Sequence, residues 1–398
     1  MIKFFEKLLH FAISRLRRNR IEAAVKRTIA SRTHITSASF DFKLFKDKVN
    51  RYLSSMQVDA GGIHYRYSNS CTKPTLYASA YACLTLSLLG DLKTYTPEKK
   101  RDWAAYFDSF QSQDDGLFYD PAVMNDLFPD TDWWGARHLA LHMINAYTAL
   151  GLRPKFPFAF LKKYYKEDFI KAWIDTYDWH SHSLGSGDID NKIMNIGCLL
   201  QYQRDYWNDS RAGDAIFFLK KYLRAKINPQ TGIWGIFDTA NDHQRSRMVQ
   251  FAYHLLPIFF YDNDYDFKCE NISKLVLCTQ NKMGGYGVAL NSSACEDIDS
   301  IDILIRFYPF VAEDVKADIN KSLNKGFNWV LFNQVPDNGF VFRLLEPFVY
   351  GSAQTSSEVN SGALLPTWFR TLSIAYMTKH LNIDNAFIIT TCPGYEIK

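Results

Sequence analysis

Nowhere in this 398-residue sequence do about 18 apolar residues follow one another, so no segment reads as a helix that crosses a bilayer. The longest apolar run, Met248 to Tyr261, is interrupted by Gln250, His254 and Pro257. A secretory leader is not expected either, because Lys3, Glu6 and Lys7 break the apolar start of the chain. Cysteine is scarce and unpaired in pattern: the seven at positions 71, 83, 198, 269, 278, 295 and 392 are odd in number and contain no C-x-x-C. That argues against a disulfide framework and a cysteine-rich zinc site, and points to a reducing cytosol.

Charge of one sign is also scarce, at +4 overall, but it is unevenly spread. Residues 1–34 hold nine Lys/Arg against Glu6 and Glu22, a net of +7, which leaves 37 basic and 40 acidic residues for the remainder. In that segment Phe5, Leu8, Leu9, Ala12, Ile13 and Leu16 share one helical stripe, with basic residues clustered towards its end. Such a helix either lies on an anionic membrane surface, on the inner face of a membrane, or packs against its own domain. No nucleic-acid partner is expected. Aromatic residues, by contrast, are abundant at 16%, enough to build a large core and still line a pocket with rings.

The chain repeats. Glycine-aromatic turns occur at Gly62 (GGIHY), Gly116 (DGLFY), Gly232 (TGIWG), Gly285 (GGYG) and Gly339 (NGFVF), at spacings of 54, 116, 53 and 54. The long gap holds two units, and SHSLGSGDIDN around Gly185 supplies the missing turn, which makes six. Gln57, Gln111, Gln280 and Gln334 each stand five residues before their glycine. The helix before each turn is amphipathic, as in residues 97–113 or 315–334; the helix after it is apolar on most sides, as in LYASAYACLTLSLLG or MVQFAYHLLPIFF. Six amphipathic helices around six apolar ones predict an all-α (α/α)6 toroid over residues 41–385. A basic amphipathic segment (1–40) precedes it and a tail (386–398) follows. The buried helices run parallel, so the polar residues at their starts gather at one end.

Those residues are the site candidates: Asp132, Trp133, Trp134, Arg137 and His138; Asp188, Asp190, Asn191 and Asn195; Asp242, His243, Arg245 and Arg247; Asp297, Asp299 and Asp302; Glu358 and Asn360, with Trp368 and Arg370 further in. Tyr286 of the GGYG turn joins them. Acids and Asn or Ser at such positions also cap helices. Capping does not account for so many Arg, His and Trp.

The spacing Gln111-x4-Gly116-x-Phe118 resembles the QW motif of squalene-hopene cyclases and related terpenoid cyclases, which share an α-α toroid with protein prenyltransferase β-subunits. The likeness covers residues 41 to 380 as architecture. In class II cyclases the middle aspartate of D-x-D-D protonates an alkene or epoxide. The matching stretch, Asp297-Ile298-Asp299-Ser300, implies Asp299 as the acid and Asp297 as its partner, with a serine in the fourth position; Asp188-Ile189-Asp190-Asn191 is a second partial match. The chemistry requires a carboxylic acid kept neutral in a dry pocket whose rings stabilise a cation. It would act on an isoprenoid or polyprenyl lipid and need no metal or organic cofactor. The last repeat, SSEVNSGALLPTWF, has no histidine where the prenyltransferases have a zinc ligand, and no D-D-x-x-D magnesium motif occurs.

Glycoside hydrolases and polysaccharide lyases also use (α/α)6 barrels. For them Trp133, Trp134, Trp179 and Trp234 would stack on sugar rings, Arg137, Arg245 or Arg247 would pair with a uronate, and Asp132 with Asp299 or Glu358 would form an acid and base pair. A lyase would use a base such as His138, Tyr253 or His254. His142 and His254, inside apolar helices, also read as core histidines. A non-catalytic toroid that binds a glycan or lipid is the third reading.

Overall fold

The computed structural model describes residues 2–31, 39–123, 134–181, 184, 185, 187–287, 289–384 and 386–395, with side chains from residue 16 onward. Among them are thirteen α-helices: α1 Ile2–Ala30, α2 Phe42–Met56, α3 Leu76–Leu88, α4 Pro97–Asp108, α5 Ala136–Leu150, α6 Glu167–Asp175, α7 Ile189–Trp207, α8 Ser210–Arg224, α9 Asp242–Phe260, α10 Cys269–Leu277, α11 Ala294–Phe307, α12 Glu313–Phe332 and α13 Leu364–His380. The odd-numbered helices from α3 to α13 form a closed ring in which each packs on the next and α13 returns to α3. The even-numbered helices stand outside it. This is the (α/α)6 toroid that the repeat spacing predicts.

Burial explains the two kinds of helix. Every residue of α3 is buried, whereas α2 buries only Phe45, Val49, Tyr52, Leu53 and Met56, a single stripe. An outer helix touches the ring on one side and water on the other; an inner helix is covered by two neighbours, an outer partner and the centre. A two-stranded antiparallel hairpin, Phe348–Val349 with Ser356–Ser357, precedes α13.

The recurring glutamine locks the four turns that carry it. Gln111 Nε2 donates to the carbonyls of Gly116 (2.9 Å) and Phe156 (2.8 Å), while its Oε1 accepts from the Phe156 amide at 2.9 Å. Gln280 does the same with Gly284 and Ser322, both at 2.8 Å, and Gln334 with Asn338. Gln57 instead donates to the Tyr65 hydroxyl. The glutamine thus braces its own turn, and at Gln111 and Gln280 also ties it to the following unit, which is a structural task. Gly116 is needed for it: its φ is +82°, and a Cβ there would sit 2.2 Å from the Pro157 carbonyl. Gln111→Ala should therefore lower stability by about 1–3 kcal/mol, the cost of stranding buried backbone groups. Thermal melting would read this, and an unchanged midpoint would refute the locking role.

Both ends of the ring are covered. At the end where the inner helices start, α1 lies across the mouth, with Val25 and Ile29 buried and Ile21 packed against the core. At the other end, residues 386–395 cross the finishing turns of α3, α5 and α7. Ile388 N donates to Leu88 O, Asn145 Nδ2 to Pro393 O, and Tyr206 Oη to Thr391 O. Tyr395, at the end of this segment, packs on Trp368 (ring centroids 5.0 Å apart) and stacks on His142 (6.0 Å).

Candidate functional site

α11 carries the stretch that matters most, and its helical register divides that stretch. Residues two apart on a helix point to different sides. Asp297 accordingly faces the outer wall, where it accepts from Arg370 Nη1 (2.6 Å), Trp329 Nε1 (2.8 Å), Ser292 Oγ (2.8 Å) and the Tyr286 amide (2.8 Å). Arg370, fully buried, also donates to the carbonyls of Val341, Phe342 and Ser292. Burial pushes the Asp297 carboxyl up, and the Arg370 charge pulls it back. Asp297 is thus the hub of a saturated ion-pair network that clamps α11 to α12 and α13, and it does not partner Asp299.

Asp299, Asp302 and Arg306 occupy the inner stripe of α11 at the three- and four-residue spacing that shares a face. Asp302 is tied to Arg306 Nε (2.6 Å) and the Tyr253 hydroxyl (3.1 Å). Asp299 differs. It is only 3% exposed, and its Oδ2 has no hydrogen-bond partner among the described residues. Burial, the Glu296 charge and the nearby Asp190 and Asp302 hold its pKa well above the carboxylate range, against the pull of Arg247. Burial and its acidic neighbours thus favour the protonated form of Asp299, whose Oδ2 is left without a partner among the described residues.

On α7, Asp190 has the opposite character. Burial would raise its pKa, but His254 Nδ1 (2.7 Å) and the bidentate Arg247 guanidinium (2.8 and 2.9 Å) outweigh it and bring it down to about 2. One carboxyl pushed towards its protonated form and one held ionised thus share the inner wall.

Beside them lies a mesh of rings. His138 meets the hydroxyls of Tyr77 (2.9 Å) and Tyr350 (2.8 Å) and the imidazole of His142 (3.1 Å). Trp368 stacks on Tyr81, and Trp134 on Tyr77. Burial and the neighbouring His142 and His254 hold His138 well below the usual histidine range, and burial takes His142 down to about 3, so both rings are neutral at pH 7.

A cavity of about 490 Å³ at this end lies under α1. It is lined by Arg17, Arg18, Ile21 and Glu22 of α1, by Ser246, Arg247 and Gln250 of α9, and by Asn291, Glu296, Arg343 and Glu346. Arg18 reaches His243 Nε2 at 3.1 Å, and Arg343 pairs with Glu296 at 2.9 Å. Among the described residues no aromatic side chain other than His243 lines it. Arg247 and Glu296, which line this cavity, both act on Asp299.

The sequence candidates therefore separate. Asp299, Arg247, His138, Trp134 and Trp368 come together at the inner wall, with Asn191 half-buried on the first turn of α7 and Arg137 half-buried against the Phe160 ring. Tyr286 is buried in the outer wall, bonded to Ser322. Trp179 and Trp234 are buried, with their indoles donating to the carbonyls of Ile174 and Leu223, so no sugar ring reaches them. Glu358 is exposed in a turn. Asp132 and Trp133 lie outside the described residues. Sequence reading missed Glu296, Arg343, Glu346 and Asn291. Glu296 reads as the N3 member of a capping box with Ser293, a role it also fills; Arg343 and Glu346 sit in a loop with no repeating register.

Fold and site together define the class: a closed helical toroid whose inner wall holds one carboxyl shifted towards its protonated form and one held ionised, near a polar mouth. No family model matches the sequence, and no curated protein does. Among solved structures, the fold is similar to a family 76 α-mannanase from Bacteroides thetaiotaomicron (10% identity, 87% of this chain and 96% of that one, TM-score 0.45) and to a polysaccharide lyase (10%, 86% and 98%, 0.47). A type II terpene cyclase from Scytonema, in complex with geranylgeranyl dihydroxybenzoate, is similar to the same degree (11%, 86% and 98%, 0.44). These are three different chemistries on distant toroids, and none is carried over to this chain.

Proposed function

We propose that this protein is a glycan-processing enzyme in which Asp299 is the proton donor. The observation that carries the reading is the buried Asp299, whose Oδ2 has no partner among the described residues and whose neighbours Glu296 and Arg247 line a cavity of guanidiniums, carboxylates and amides. A glycosidic oxygen is a weak base, and a carboxylic acid still protonated at neutral pH can transfer its proton as the bond to the leaving group breaks. Asp190, kept ionised by Arg247 and His254, supplies negative charge for the oxocarbenium-like state on the same inner wall. The polar cavity suits hydroxyl-rich ligands, and its volume is that of a small-molecule site.

The isoprenoid cyclase reading keeps the same acid. It is favoured by the rings of Tyr77, Tyr81, Trp368 and Tyr395 around His142, whose faces would stabilise a carbocation. Offering neutral and uronate-containing oligosaccharides and polyprenyl diphosphates in parallel separates the two. New reducing ends are expected from the oligosaccharides, and Asp299→Asn should stop their release. Turnover of the diphosphates alone would decide for the cyclase; release at the wild-type rate by Asp299→Asn would remove Asp299 from the chemistry.

A further inference from the structure

Helix α1 has two faces that serve different ends. At about 100° per residue, Phe5, Leu8, Leu9, Ala12, Ile13 and Leu16 centre on one side of the helix by sequence register, and Ile21, Val25 and Ile29 centre about 170° away. The second stripe is the one that docks: Val25 and Ile29 are buried on the toroid, and on the same side Arg18 meets His243 and Glu22 pairs with Arg18. Leu16, the last residue of the first stripe, is 60% exposed. By register the first stripe falls on the side of α1 opposite the one that Val25 and Ile29 bury. On its side of the helix, Arg20 and Arg27 follow, both exposed, with Lys26 exposed beside them. The outward side of α1, about 43 Å long, thus reads apolar in its first half and basic in its second. Leu16 also lines a groove with Arg17, Arg20, Leu345, Pro347 and the exposed Val359, next to the mouth.

We propose that the outward side of α1 docks the toroid, mouth first, on an anionic membrane surface. An apolar stripe that enters the interface, followed by guanidiniums that meet lipid phosphate and carboxylate groups, is the arrangement of a helix lying in the plane of a bilayer. The charge balance fits this occupant, because the net +7 of residues 1–34 stands against −3 for the rest of the chain. No helix among the described residues is long and apolar enough to cross the membrane, so attachment is at the surface. The inference stands on α1 alone and does not depend on the reaction inside the ring.

The test is co-sedimentation of the full chain with phosphatidylcholine vesicles, with and without phosphatidylserine. The protein should pellet with the serine-containing vesicles, remain in solution with phosphatidylcholine alone, and be released as salt is raised. Leu9→Glu/Leu16→Glu and Arg20→Glu/Arg27→Glu leave Val25 and Ile29 in place, so both should melt like the wild type while partitioning roughly tenfold less or weaker. No pelleting at low salt, equal pelleting with both vesicles, or wild-type partitioning by the charge-reversed chain would each overturn the proposal. Self-association in solution that Leu16→Glu abolishes, without vesicle binding, would do the same, by assigning the stripe to a second copy.

Discussion

Asp299→Asn should remove turnover and at the same time make the protein more resistant to heat above neutral pH. The first effect follows from the proposed role: an amide has no acidic proton, and general acids contribute roughly 10²–10⁴-fold in rate. The second follows from linkage. The carboxyl is held protonated in the folded chain by burial and by the charge of Glu296, whereas in the unfolded chain it ionises near the ordinary aspartate value, about 4. Above that pH the unfolded chain gains stability by releasing the proton and the folded chain does not. The wild type therefore loses stability from about pH 4 upward until the raised folded value is reached. Asparagine has no proton to release. Melting curves for the two proteins should coincide near pH 4 and diverge by pH 8, with the variant higher. Asp297 and Asp302 are raised in the same direction but are present in both proteins, so they cancel in the difference. A variant that melts lower at every pH would make Asp299 a structural residue and end its candidacy as the acid.

Arg370→Met should be the most damaging single substitution in the ring. The guanidinium is fully buried and holds Asp297 together with three backbone carbonyls. Removing it leaves a carboxylate in the wall without its counter-charge, which costs about 3–5 kcal/mol in comparable buried pairs. That is a large part of the 5–15 kcal/mol that ordinarily separates a folded domain from its unfolded chain. Denaturant unfolding should show a fall in the midpoint of that order. The double variant Asp297→Leu/Arg370→Met should recover part of the loss, since it removes both charges and leaves no stranded ion. A double variant weaker than Arg370→Met would mean that Asp297 stabilises α11 through Trp329, Ser292 and Tyr286 independently of the arginine.

Arg370 and Asp297 also mark where reading the sequence stops. Both were legible as polar residues of apolar helices, and the D-x-D-S stretch drew Asp297 together with Asp299. In a linear motif Asp297 and Asp299 are neighbours. On a helix, a two-residue step turns one into the wall and the other towards the centre, so one became a clamp and the other a candidate acid. The aromatic turns behaved alike: Trp234 and Tyr286 belong to repeated turns, and repetition there reflects a repeated packing task, with the rings buried between helices.

The repeat spacing, the alternation of one-sided and all-round apolar helices, and the glutamine five residues before four of the six glycines already determined the closed ring of six hairpins, because period and burial pattern are local properties that the chain carries from unit to unit. The direction of the inner helices likewise determined that polar residues would gather at one end. Only the tertiary structure decided which of them meet. Arg247 finds Asp190 across 57 residues, Arg343 from a loop finds Glu296, α1 folds its second half over the mouth, and the tail brings Tyr395 to His142. Burial by distant segments, which no local pattern encodes, is what leaves Asp299 protonated and Asp190 charged.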